Sequence, residues 1–318
     1  MAEVHKLVHP WLVAVWPGMG QVAVNAGVYL LSKLRMSLLA EFEVANLYDV
    51  EHVEVRQGLI QPGRKPRSRL FLWRDPQQRH DLLVFIGEAQ PPLGKYAFCQ
   101  QLLAQAKQVG VERVFTFAAM ATSMRPEDRS RVFGAATEPP LLEELKRLEL
   151  VILENGHISG LNGILLGAAV EAGIPGVCLL GEMPQIFVQL PFPKASLAIL
   201  EAFTPMLGVS IDLEELSEQA RDSEEQLREL LERMEQAYGL SEPEEESSSF
   251  TVPPPEENRL SPADRHRIER LFQQAIQDRS KAFELKRELD RLGVFKEYED
   301  RFLDLFKKPA EGGPSQEA

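Results

Sequence analysis

Between Trp11 and Gly208 the chain alternates short β-type runs with single helical segments, and this alternation limits the fold more than any other feature. Trp11-Leu12-Val13-Ala14-Val15-Trp16 is continuously apolar and rich in β-branched and aromatic residues, the pattern of a strand buried on both faces. After Pro17-Gly18-Met19-Gly20, the residues Val22, Ala23, Ala26, Tyr29, Leu30 and Leu34 recur at helical spacing. Strand patterns follow at 37–49, 53–60 and 69–73, and the basic turn Pro62-Gly63-Arg64-Lys65-Pro66 predicts a hairpin between the last two. Further strands are predicted at 82–86, 114–118, 150–153 and 177–180, with helices at 95–109, 139–148, 161–172 and 194–206. Strands joined by single helices require βαβ crossovers. The predicted core is therefore a three-layer α/β domain whose sheet is mixed, mostly parallel, and covered on both faces.

This domain is expected over 1–240, ending in an amphipathic helix at 212–238. There Leu213, Leu216, Ala220, Leu227, Leu230 and Met234 form a heptad-like stripe, suited to packing on its own domain or to a coiled-coil contact with another subunit. Residues 241–258 hold six Glu, four Pro and no basic residue, a composition that cannot bury enough to fold, and read as a linker. A helical hairpin is predicted at 259–308. Ser261-Pro262-Ala263-Asp264 opens it with a hydroxyl cap, Pro at the first helical position and an acid in the first turn. One stripe carries Ile268, Leu271, Phe272, Ala275 and Ile276, and after a break at Gly293 a second carries Phe295, Tyr298, Phe302 and Phe306. That aromatic face must bury against the other helix, the core or a partner. The tail 309–318 is expected to be disordered.

Charge narrows the function. Residues 1–210 are nearly balanced at −1, whereas 211–318 carry −12 of the net −13. An acidic half of this kind argues against a nucleic-acid surface and against docking on anionic lipid. Cys99 and Cys178 are lone cysteines in apolar runs and are expected to be buried thiols, not a disulfide. No membrane-length apolar run occurs and MAEVHKLVHP has no signal pattern, so a cytoplasmic protein is expected.

Three loops could carry chemistry. Pro17, Gly18, Met19 and Gly20 lie between a strand and a helix, where glycines let backbone approach an anion, or simply make a tight turn. Asn155, Gly156, His157, Ser159, Gly160, Asn162 and Gly163 form a second glycine-rich loop, expected at the same carboxyl edge of the sheet. Its plainer reading is a close-packed helix start with Ser159 as N-cap. Glu88 and Gln90 follow the strand at 82–86, and a buried Glu88 could act as a general base. No G-x-S-x-G elbow is present, and His5 and His9 stand four apart beside Pro10, where no helix is expected. No catalytic set, metal site or cofactor is expected from these residues. A small-molecule binder or phosphorylase-like enzyme using the glycine turns is the alternative.

Seven segments in order resemble the proteasome assembly chaperone family, the family of the second eukaryotic assembly chaperone. They are Trp11–Gly20 with the helix through Ala26, Tyr29 and Leu30; Leu83–Pro91; Gly110-Val111; Val132–Thr137 (V-x-G-x-A-T); Gly156–Gly163 (G-x-I-S-G-L-x-G); Ala172–Gly176; and Leu207–Asp212 (L-G-x-x-I-D). The resemblance spans about residues 8–216. It implies a prokaryotic-type member, a fold similar to nucleoside phosphorylases without their catalytic residues, and protein–protein binding as a homo-oligomer. Some members end in a hydrophobic residue, Tyr and one last residue that insert into the proteasome ring. This chain ends Ser315-Gln316-Glu317-Ala318, so that mode of docking is not expected.

Overall fold

The computed structural model describes residues 6–42, 47–50, 53–56, 58–238 and 260–307. The apolar run after Pro10 becomes β1 (Trp11–Val15), fully buried at the centre of an eight-stranded sheet. The chain continues through α1 (Val22–Lys33), β2 (Ser37–Glu41), β3 (Glu54–Arg56), β4 (Leu59–Gln61), β5 (Ser68–Trp73) and β6 (Leu82–Gly87). Then come α2 (Lys95–Gln108), β7 (Arg113–Thr122), β8 (Val132–Ala136), α3 (Pro139–Arg147), β9 (Val151–Ile152) and α4 (Gly160–Ala172). Last are β10 (Gly176–Pro184), α5 (Pro193–Leu207), α6 (Glu214–Tyr238), α7 (Pro262–Gln277), α8 (Ala282–Arg291) and α9 (Phe295–Asp304).

The sheet order is β2-β5-β6-β1-β7-β10-β8-β9. Strands β6, β1, β7 and β10 are mutually parallel, while β5 and β8 run antiparallel to the neighbours nearer the centre. Alternation along β1 divides the interior in two. Trp11, Val13 and Val15 face one core with α1 and α5; Leu12, Ala14 and Trp16 face the other with α2 and α4. The expected three-layer, mixed-sheet α/β fold is what forms.

Three local expectations fail. Residues 54–56 pair with 59–61 around Gly58, whose φ of +79° suits a tight turn, and not with 69–73. Strand β5 belongs instead to the main sheet between β2 and β6, because only there can Phe71 be buried. The strand expected at 37–49 ends at Glu41. Strand β8 was not visible as a strand, since Gly134, Ala135 and Ala136 have weak β preference. A Cβ on Gly134 would stand 2.9 Å from Leu145 Cδ1, so glycine is what lets α3 pack on this strand.

The C-terminal region packs on the α1 side of the core. In α6 the residues Leu216, Ala220, Leu227 and Leu231 are buried against the chain's own interior, leaving Leu230 the most exposed leucine of the stripe. Beyond the 241–258 segment, which lies outside the described residues, the hairpin expected at 259–308 is three helices. Ser261 and Asp264 form a reciprocal capping box at the start of α7. Asp278 accepts a bond from the Ser280 amide and ends α7 well before Gly293. The aromatic face is buried in cis: Phe283 meets Tyr29 edge-on at 4.5 Å and Phe306 meets Phe71 at 6.0 Å. The Leu38 amide of edge strand β2 donates to the Phe306 carbonyl at 2.7 Å.

Candidate functional site

The carboxyl ends of β1, β6 and β10 lie at one edge of the sheet, where open α/β sheets gather ligands. The turn at Pro17–Gly20 sits there. Gly20 takes φ +60°, and a Cβ on it would lie 2.8 Å from Met183 Sδ. Its amide donates to the Val188 carbonyl at 2.8 Å and its carbonyl accepts from Phe192 at 2.9 Å. Both of its backbone groups are thus consumed by the β10–α5 loop. The glycine serves close packing.

The second loop reaches this edge by a different route from the one expected. Strand β9 runs opposite to β1, so its carboxyl end points to the other edge. Residues 153–159 bring the chain back, and α4 begins beside Gln90. The Gln90 side-chain carbonyl accepts from the Leu161 amide at 3.1 Å while its Nε2 donates to the Pro17 carbonyl at 3.4 Å. Ser159 occupies the N-cap position without a side-chain bond. Gln90 therefore caps α4 from a distant loop and ties both glycine motifs together. Gly160 takes φ +70° with its Cα side turned to Gln90, where a Cβ would meet Oε1 at 2.9 Å, and a Cβ on Gly163 would lie 1.8 Å from the Ile158 carbonyl.

The remaining candidates of this loop point elsewhere. Asn155, His157 and Ser159 are exposed, and Asn162 Oδ1 is buried without a protein partner. An open depression of about 570 Å³ is lined by Thr137, Leu153, Asn155, Gly156, Gly163 and Gly167 among others, and by none of Pro17–Gly20. The two turns meet through Gln90, and the depression is lined by the second turn without the first.

Glu88 is buried and held by cations. Its carboxylate accepts from Arg69 at 2.6 Å, from Arg64 at 3.3 Å and from the Arg67 amide at 2.9 Å. Asp300 of α9 is ion-paired with the same three arginines, at 2.7 Å to Arg67 and 3.4 Å to Arg64, with Arg69 in direct contact. Lys296 of α9 donates to the Glu88 carbonyl at 2.7 Å. This arrangement fixes a helix on a strand, with both carboxylate oxygens of Glu88 held by arginine groups. Sequence reasoning missed it. The signal was Arg69, a charged residue within an apolar strand run, directly after the basic turn.

A second buried acid, Glu182 on β10, accepts from Arg131 at 2.6 and 2.7 Å and from the Thr122 hydroxyl at 2.8 Å. The Arg131 guanidinium holds this carboxyl below the usual range. Burial pushes the thiols of Cys99 and Cys178 up to about 12, and both are free. Among the described residues no group of three His, Cys, Asp or Glu side chains could hold a metal ion, and no helix is long and apolar enough to cross a membrane.

The remaining motif residues close the same framework. The Thr137 hydroxyl accepts from the Gly176 amide at 2.8 Å, joining V-x-G-x-A-T to the start of β10. Gly208 ends α5 in the left-handed region, and the Asp212 carboxylate accepts from the Glu214 amide at 2.9 Å as α6 begins. The PAC2 family model matches residues 12–231, the span these motifs build. The chain belongs to the PAC2 family.

Among solved structures, it is similar to Pyrococcus furiosus PbaB, described as an archaeal proteasome activator. The two are 26% identical with a TM-score of 0.61, over 72% of this chain and 96% of the other. A PAC2 family protein of Streptomyces avermitilis is 27% identical with a TM-score of 0.60, over 70% and 95%. Pyrococcus furiosus PbaA, described as an archaeal homolog of proteasome-assembly chaperone, is 26% identical with a TM-score of 0.56, over 73% and 91%. The uncharacterized protein MJ1210 of Methanocaldococcus jannaschii is 30% identical over 189 residues, 58% of this chain and 70% of the relative. The fold is thus that of proteasome assembly chaperone homologues, and α7–α9 lie beyond the matched span.

Proposed function

We propose that this protein is a non-catalytic, chaperone-like protein-binding member of the PAC2 family, acting as a homo-oligomer. The proteasome-type core particle is the partner class to test first. The observation that carries this reading is the family match over 12–231, on a core in which Gly20, Gly160 and Gly163 stand in close packing contacts. Supporting it, exposed apolar side chains concentrate at the carboxyl edge. Met19 follows β1, Leu93 follows β6, Ile186 follows β10, and Leu59 and Ile60 stand on the β3–β4 hairpin, which precedes β5 at that edge. An isolated two-stranded hairpin is marginal in water and gains stability by packing on something. In this reading Pro17, Gly18, Met19, Gly20, Gln90, Asn155, Gly156, His157, Ser159, Gly160, Asn162 and Gly163 frame a protein contact, and Glu88 anchors α9.

Size-exclusion chromatography with light scattering tests it. The wild type is expected at a multiple of 35.8 kDa, and Met19→Asp with Ile60→Asp is expected to lower that mass. A monomer for both, together with a thermal shift from nucleosides or phosphate abolished by Gly20→Val, would favour the ligand-binding alternative.

A further inference from the structure

The groove under α9 is built from core groups that are partly paired among themselves and that α9 completes. Arg64, Arg67 and Arg69 bring three positive charges to the start of β5, against Glu41 and Glu88 from the core itself. The surplus is met by Asp300, which contacts all three arginines, and by Asp304, 3.6 Å from Arg69. Arg69 is wholly buried, while Asp300 and Asp304 keep about a third of their surface in water. Charge runs the other way at two points: Lys296 reaches the Glu88 carbonyl and Glu299, and Lys307 stands 4.0 Å from Glu41. Beside the arginines, Phe71 takes the ring of Phe306, and edge strand β2 gives the Leu38 amide to the Phe306 carbonyl. A groove with cations, an aromatic slot and a free strand donor recognises an acidic helix with aromatic residues on one face.

We propose that this groove is a docking site for an acidic, aromatic-faced helix of a partner protein, occupied here in cis by α9. The occupant carries carboxylates four residues apart and aromatics at Phe295, Phe302 and Phe306, which is the recognition pattern expected of the partner. The family span ends at residue 231, so α9 lies outside the part of the chain that the family model covers. Tethering gives α9 a high effective concentration, so the site is closed until the tethered helix is weakened or outcompeted. This goes beyond the chaperone-like reading and does not depend on the exposed apolar side chains Met19, Leu93 and Ile186.

The test uses the full chain and a fluorescein-labelled peptide of residues 294–307 as the probe, read by anisotropy. The Asp300→Lys/Asp304→Lys protein, whose own α9 is repelled by the arginines, is expected to bind the wild-type peptide at least tenfold tighter than the wild-type protein does. A peptide with both aspartates changed to Asn is expected to lose most of that binding, and the remainder should fall little with added salt. As a second route, a protease site placed in 241–258 and cut in the folded protein should let excess peptide displace α7–α9. Equal or undetectable binding by wild type and variant, with no displacement after cutting, would overturn the proposal. A doubling of native mass on weakening α9, with no peptide uptake, would also overturn it, by assigning the groove to a second copy of the chain.

Discussion

Gln90 is the side chain whose role was least apparent in the sequence and most consequential in the fold. It was visible as a loop residue after a strand, yet nothing local showed that it would cap α4 and hold Pro17, because both bonds span more than 70 residues. Gln90→Ala is expected to lower stability by roughly 0.5–2 kcal/mol, the usual cost of a lost cap, whereas exposed His157→Ala stays within about 0.5 kcal/mol. Urea unfolding of the two variants separates them. Glycines divide in the same way. Gly163→Ala forces a Cβ onto the Ile158 carbonyl and should cost at least ~1–3 kcal/mol, while Gly18→Ala, extended and with nothing within 4 Å, should be close to neutral. Buried Cys99 and Cys178 should resist iodoacetamide at pH 8 in the native state and react on unfolding.

Titration at the same scale has a definite sign. The carboxyls of Asp75 and Glu182 lie below their ordinary values because Arg79 and Arg131 hydrogen-bond their charged forms. Their contribution is present above the unfolded carboxylate values, near 4, and is lost as pH falls through the folded ones. Burial raises Glu299, so its contribution has the opposite sense, present at low pH and lost as pH rises through its folded value. Chemical denaturation from pH 7 down to pH 3 should show a progressive loss of stability. The loss should shrink in Glu182→Gln, which has no proton to take up.

At the scale of elements, what was legible followed periodicity. The central strands, α1, α2, α4, α5 and the Ser261 capping box could be read directly because each is set by its own residues. What was not legible depended on distant partners. Strand β8 exists because β10 pairs with it, and β5 left its expected hairpin because Phe71 and Arg69 are buried only between β2 and β6. The aromatic stripe of the C-terminal helices was legible as something needing cover; that α1, β2 and β5 supply the cover was not. Phe302 and Phe306 are fully buried in that contact. Phe302→Ala is expected to cost about 3–5 kcal/mol and to free α7–α9 for proteolysis before the core sheet unfolds.

Across the whole molecule, the chain divides into a core matching the PAC2 family and a C-terminal helical unit folded back on it. Of the two glycine-rich motifs, which suggested a ligand site, Gly20, Gly160 and Gly163 stand in close packing contacts at the core's carboxyl edge. That edge displays apolar side chains outward, and α9 runs from Glu88 and Arg67 at the same edge along β5 to Phe71 and Leu38. Hydrogen exchange of the full chain, compared between dilute and concentrated solution, examines this account most directly. It predicts slower exchange on concentration in peptides covering Pro17–Gln21, the β3–β4 hairpin, Leu93 and Gln185–Leu190, with α7–α9 unchanged. Unchanged exchange at that edge, with new protection confined to α7–α9 or absent altogether, would contradict it.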